Sequence, residues 1–120
     1  MERRGQKYHR ERLGEALREE IETIVEGELG DPRIGLVSVS QVILAEDARS
    51  ARVFVEVLGD EAEALRTMQG LTAALGFIRR QVGQRLQLRH PPELFFQLDR
   101  SGQYGARIDQ LLTRTRKKRG

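Results

Sequence analysis

The sequence predicts an α+β domain in the order helix, strand, strand, long kinked helix, strand. Three observations carry that expectation. Apolar residues recur at helical spacing through 7–29 and again through 61–88, and Val-rich alternating stretches occupy 36–45 and 51–57. A last alternating stretch, 94–99, follows the second helical region. The length of 120 residues suits one core, and 38% hydrophobic with 32% charged residues describes a folded, well-solvated chain rather than a disordered one. Residues 1–112 are expected to form a single domain that includes the N-terminal helix, with 113–120 as a mobile basic tail.

In the first helix Leu13, Leu17, Ile21, Ile24 and Val25 fall within an arc of roughly 120°. Glu15, Glu19, Glu22 and Glu26 cluster on the other side. Gly30 supplies a stop, and Asp31-Pro32-Arg33 a turn that prevents continuation. In Leu36–Ala45 the alternation of Val37 and Val39 with Ser38 and Ser40 slips at Val42-Ile43-Leu44, which predicts a bulge or a strand buried on both faces. Glu46-Asp47-Ala48-Arg49 is the turn of an antiparallel hairpin whose second strand buries Ala51, Val53, Val55 and Val57.

From Glu61 to Leu88 the stripe Met68, Leu71, Leu75, Ile78, Val82 and Leu86 keeps its phase, although Gly70, Gly76 and Gly83 each weaken a helix by ~1 kcal/mol. One kinked element is expected. Its opposite face carries Gln69, Ala73, Gly76, Arg80, Gly83, Gln84 and Gln87, with Gly76 and Gly83 permitting close approach of another backbone. His90-Pro91-Pro92 ends it. The third strand then turns Leu94, Phe96 and Leu98 to one face, and Ile108, Leu111 and Leu112 suggest a short terminal helix or docked segment.

No apolar run reaches the ~18 residues of a membrane span, and the charge-rich start does not read as a secretory signal. With no Cys there are no disulfides, thiolate sites or cysteine nucleophiles. His9 and His90 are too far apart in sequence to suggest a metal site, so a cytoplasmic protein without cofactor, metal, small-molecule substrate or membrane partner is expected. A monomer is expected as well, because no additional apolar surface stands out.

Charge is unevenly placed. The net charge is +3 for residues 1–12, −9 for 13–64, +4 for 65–112 and +5 for 113–120. Between Glu63 and Glu93 lie 29 residues with no carboxylate and five arginines: Arg66, Arg79, Arg80, Arg85 and Arg89. Such asymmetry lets one side of a domain meet a polyanion, whereas a solvated, salt-bridging surface is the plainer reading. Arg makes up 18 of the 21 basic residues, which suits phosphate binding but equally a genome whose codons favour Arg.

Catalysis finds little support. Asp99, Ser101 and His90 do not sit in a glycine-flanked nucleophile turn, and Glu19 with Glu22 reads as a solvated helix face. Gly27-Glu28-Leu29-Gly30 and Gly102-Gln103-Tyr104-Gly105 have the spacing of a phosphate-clamping K-homology loop, yet neither lies between two helices. Phe54, Phe77, Phe95 and Phe96 are expected in the core, leaving Tyr8 and Tyr104 as the partly exposed aromatics. A sheet that stacks single-stranded RNA would need outward-facing aromatics instead.

From about Arg12 to Leu112 the chain resembles the ribosome-binding factor A family, bacterial small-subunit assembly factors. The resemblance rests on Asp31-Pro32-Arg33, the Val37–Val42 strand leading to Asp47, Ala51-Arg52-Val53-Phe54-Val55 and Ala74-Leu75-Gly76-Phe77-Ile78-Arg79. Pro92-Glu93-Leu94 with Phe96, Asp99 with Ser101, Arg107-Ile108 and Leu111-Leu112 complete it. No single piece is diagnostic; their order is. The resemblance implies a type II K-homology fold, α-β-β-α(kinked)-α-β with a three-stranded sheet. In that family an Ala-x-Gly kink, here Ala74-Leu75-Gly76, replaces the Gly-x-x-Gly loop.

It further implies non-catalytic binding to 16S rRNA in the immature small (30S) ribosomal subunit, support of late maturation and 5′-end processing, and an association with growth in the cold. The expected RNA-binding residues are Ala74, Leu75, Gly76, Arg79, Arg80, Gly83, Arg85 and Arg89. Basic ends would add Arg3, Arg4, Lys7, Arg10, Arg114, Arg116, Lys117, Lys118 and Arg119 through phosphate contacts that position without specifying. Two other readings stay open on the residues alone: a generic K-homology binder of single-stranded RNA, or a small oligomeric α+β enzyme or interaction domain.

Overall fold

The computed structural model describes residues 4–100, with side chains from residue 9 onward. The chain runs through α1 (Arg4–Gly27), β1 (Val37–Leu44), β2 (Ser50–Val57), α2 (Glu61–Ala73), α3 (Leu75–Arg85) and β3 (Glu93–Leu98). The sheet order is β1-β2-β3, antiparallel between β1 and β2 and parallel between β2 and β3. A parallel neighbour requires a crossover, and α2 with α3 provides it.

Strand alternation decides which sheet face is covered. Ala51, Val53, Val55 and Val57 are buried on the same face as Val39, Leu44 and Leu94. Against them pack Leu17, Ile21, Ile24 and Val25 of α1, Leu71 of α2, and Ile78 and Val82 of α3. Each such side chain contributes about 1.5–3 kcal/mol by leaving water.

The slip in β1 is a bulge. Val39 pairs with Val55 and Gln41 with Phe54, so Ser40 is the extra residue. Without it Gln41 and Ile43 would point inward; with it Val42 and Leu44 do, and Leu44 is buried. The Ser40 hydroxyl donates to Asp99 Oδ2 at 2.6 Å and lies 3.2 Å from the Phe54 carbonyl, fastening the bulge to the end of β3.

After α1 the turn is built by Asp31, which accepts from the Arg33 backbone N–H (2.9 Å) and from its Nη2 (2.6 Å). The Arg33 guanidinium first, and then its backbone N–H, hold the Asp31 carboxyl down at about 2 instead of 3.8. A carboxyl depressed on folding stabilises above its unfolded pKa and loses that contribution as pH falls through the folded value. An NMR titration of the Asp31 carboxyl carbon is therefore expected to show a midpoint near 2. A midpoint at 3.8 would show that the pair does not persist in solution.

The kink falls at Ala74, whose φ of −90° and ψ of 0° leave the helical range for one residue. Its N–H is shared between the Gly70 and Leu71 carbonyls, and its carbonyl accepts from Ile78, so the hydrogen-bond ladder bends without being lost. The long element ends at Arg85, three residues before the Leu88 expected from the sequence. Gln87 adopts φ 55°, and Leu88 N–H returns to the Gly83 carbonyl at 2.8 Å, a left-handed cap usually built on glycine. A glutamine in that place gave no stop signal.

Candidate nucleic-acid interface

Ala74, Leu75 and Gly76 sit at the bend, the first two half-buried and Gly76 exposed. Arg80 follows one turn later, exposed, with no ion-pair partner among the described residues. Its Nη1 lies 3.3 Å from where a Cβ on Gly76 would be, so the guanidinium reaches back over the kink. Arg79 is more structural. Its Nη2 and Nε donate to the Pro91 carbonyl at 2.7 and 3.1 Å, and Nε also reaches the Pro92 carbonyl at 3.2 Å. Those bonds tie α3 to the chain entering β3.

Between kink and strand opens a cleft of about 280 Å³ lined by Leu75, Gly76, Arg79, Glu93, Leu94 and Phe95. Its lining is mainly apolar, with Arg79 on the helix side and Glu93 on the strand side. Arg80 stands beside its helical wall.

Several expected site residues are placed elsewhere. Gly83, expected on the outward face, is buried: a Cβ there would lie 2.6 Å from Pro91 Cγ. The backbone it lets approach is the chain's own loop into β3. Arg85 turns toward α1, where its guanidinium binds the Glu28 carboxylate at the end of that helix and lies 3.6 Å from Glu20. Its hydrogen bond holds the Glu28 carboxyl below the usual range, and Glu28 in turn raises the Arg85 pKa. Arg85 thus bridges α1 and α3, its charge locally balanced. Arg89 is exposed in the loop after α3.

Arg10 lines a separate groove with Glu11, Gly14, Glu15 and Val42–Leu44, along β1 at the opposite edge of the sheet from the cleft. The backbones of Arg4 and Lys7 lie in α1. Their side chains, Arg3, Arg114, Arg116, Lys117, Lys118 and Arg119 lie outside the described residues, as do Tyr8's side chain, Tyr104, Ser101, the second Gly-x-x-Gly and the expected terminal helix.

The aromatics depart most from expectation. None of the four phenylalanines is fully buried; Phe77 is 40% and Phe95 53% exposed, while Phe54 and Phe96 are half-buried. Phe95, which lines the cleft, is not among the expected site residues. The alternation that turns Leu94, Phe96 and Leu98 inward necessarily turns Phe95 outward.

Topology and site together define a K-homology-like α+β domain, with a basic bend where the two crossover helices meet. The profile of the family "Ribosome-binding factor A" matches residues 9–112, and the chain belongs to that family. As a member it is a ribosome assembly factor and not an enzyme. It is 57% identical over 119 residues to ribosome-binding factor A of Koribacter versatilis, covering 99% of this chain and 97% of that protein. With the Halothermothrix orenii protein of the same name it shares 47% over 105 residues, covering 88% and 86%. The crystal structure of ribosome-binding factor A from Thermus thermophilus superposes with a TM-score of 0.59 at 28% identity, covering 80% of this chain and 97% of that one. A homology model of the Thermus thermophilus factor, fitted into the cryo-electron-microscopy map of a 30S–RbfA complex, superposes with a TM-score of 0.56 at 30% identity, covering 77% and 92%.

Proposed function

We propose that this chain, acting as a monomer in the cytoplasm, binds 16S rRNA of the immature small ribosomal subunit. There it supports late maturation and 5′-end processing. The observation that carries the reading is the bent helix: from Ala64 to Pro92 it and its flanks contain no carboxylate, and Arg80 stands exposed over the Ala74-Leu75-Gly76 bend beside an apolar cleft. The 30S complex of the Thermus thermophilus relative supports the choice of partner.

The side chains divide the work. Arg80 offers a guanidinium to phosphate, which it can engage through two parallel N–H bonds. Gly76 keeps the helix surface low, so that a sugar–phosphate backbone can approach. The cleft lined by Leu75, Leu94 and Phe95 offers an apolar floor for an unpaired base. Arg79 holds the strand side of the cleft in place through the Pro91 carbonyl. Arg89 and the basic ends extend the phosphate contacts, and because these are electrostatic they weaken as salt rises. Specificity comes from the shape of folded rRNA at the cleft.

Co-sedimentation with ribosomal particles on a sucrose gradient tests the reading. Tagged protein is expected to travel with free small subunits, to be absent from complete ribosomes, and to leave the particles as salt is raised. Protein remaining at the top of the gradient in gentle salt would remove the functional reading while leaving the fold intact.

A further inference from the structure

The outer side of α3 carries an aromatic ring that neither the core nor the cleft uses. Phe77 is 40% exposed and belongs neither to the buried cluster nor to the half-buried shell packed on it. The cleft takes only Leu75, Gly76 and Arg79 from α3. Within that helix Phe77, Arg80 and Gln84 follow at spacings of three and four, so they share one face, and all three are exposed. Residues three apart on a helix have their Cβ atoms about 5–6 Å apart. The Arg80 guanidinium also reaches back to Gly76, the residue before Phe77. A ring and a guanidinium with no ion-pair partner among the described residues therefore stand together on the outside of the bend.

We propose that Phe77 stacks an unpaired base of the RNA, that of the nucleotide whose phosphate meets Arg80. Gly76 is then the low point over which the strand passes from the cleft to this outer face. The inference rests on the RNA-binding reading of the bend and adds a second base to it. Duplex RNA does not fit, because its bases are stacked on one another and present no free face to a ring.

Charge favours this occupant. The chain has no carboxylate from Ala64 to Pro92. The two α1 carboxylates that pair with α3, Glu20 and Glu28, are both held by Arg85. Glu93 belongs to the lining of the cleft, which Phe77 does not join. An apolar protein surface fits less well. The other exposed large apolar side chain on the bent element, Leu65, lies about 18 Å away along its axis by helix rise. Between the two, Gln69, Thr72 and Ala73 are exposed, so no continuous apolar patch forms. A single ring beside guanidinium and amide groups is instead what a base-stacking surface is made of.

The test uses the full chain, which contains no tryptophan, so that Phe77→Trp introduces a single indole and keeps an aromatic ring. Stacking on a base quenches an indole. Emission from this variant is expected to fall as protein-free 16S rRNA is added at low salt, and its small-subunit affinity is expected to match the wild type. Phe77→Ala is expected to weaken small-subunit binding in co-sedimentation by about fivefold to a hundredfold, the usual loss for one base–aromatic stack. Phe77→Leu keeps apolar bulk and is the better helix former, so it is expected to melt no lower than the wild type. It should nevertheless bind about twofold to tenfold more weakly, the share of a ring contact that burial of area does not supply. That variant carries the test if Phe77→Ala melts early.

Wild-type affinity in Phe77→Leu would overturn the proposal, since apolar contact would then suffice without a stack. Indole emission that 16S rRNA leaves unchanged would overturn it too, and with weakened binding by Phe77→Ala would assign the ring to a protein of the subunit. Arg80→Glu measured in parallel separates the stack from the bend. If Arg80→Glu weakens binding and the Phe77 variants do not, the stack falls and the bend stands. If the wild type itself fails to bind small subunits, the RNA-binding reading of the bend falls and the stack falls with it.

Discussion

Arg80→Glu is expected to lower the affinity for small subunits by roughly tenfold to a hundredfold at low salt, with thermal stability almost unchanged. A hydrogen bond to a charged group contributes about 1.5–3 kcal/mol, and the reversed charge adds repulsion from phosphate. The position is exposed and pairs with no described carboxylate, and its Nη1 lies 3.3 Å from where a Cβ on Gly76 would be. Surface substitutions of that kind stay within about ±0.5 kcal/mol of stability. Arg79→Glu should behave differently, because it severs the bonds to Pro91 and Pro92 and so costs both binding and melting temperature. Quantified co-sedimentation and a thermal melt of each variant check both statements. Wild-type binding by Arg80→Glu would remove that residue from the interface.

Two glycines on the same helix are expected to respond oppositely to alanine. Gly83→Ala places a methyl 2.6 Å from Pro91 Cγ. A proline ring has no rotamer with which to retreat, so the loop must move, at a cost of about 1–3 kcal/mol. For a domain of this size that lowers the melting temperature by several degrees, roughly 4–8 °C for each kcal/mol. Displacing Pro91 also displaces the carbonyl that holds Arg79, so small-subunit binding should weaken as well. Gly76→Ala meets only Arg80 Nη1 at 3.3 Å, the far end of a flexible side chain. Relief of glycine's helix penalty then dominates, with a gain of up to about 1 kcal/mol. If Gly83→Ala melted above the wild type, the packing of that loop against α3 would be refuted.

Among the described residues apolar periodicity was enough to locate every element, because each buries one stripe or one face and the spacing of buried residues is set by local geometry. The bulge was legible for the same reason: Val42-Ile43-Leu44 breaks a period of two, and Ser40 is the residue that restores it. That the long helical element bends was legible as glycines interrupting a stripe that nevertheless stays in phase, while its place at Ala74-Leu75-Gly76 followed from the family resemblance. The helix C-terminus was missed because its left-handed cap falls on Gln87, a residue type that carries no stop signal. Core placement of the phenylalanines was expected from their apolarity alone. Yet alternation outranks residue type on a sheet covered on one side, and it turned Phe95 outward.

The order of elements, the parity of each strand and the carboxylate-free stretch around Arg80 were determined by the sequence itself, since all three are properties of residues close together along the chain. Tertiary structure alone decided how the arginines divide. Arg85 lies 57 positions from Glu28, and only the packing of α3 on α1 brings their charges together. Gly83 and Arg80 share a helix face by angle, but the loop through Pro91 folds back over one and leaves the other open. A helical wheel gives directions around an axis. What occupies those directions depends on where distant segments return, and that is set by the closure of the whole core.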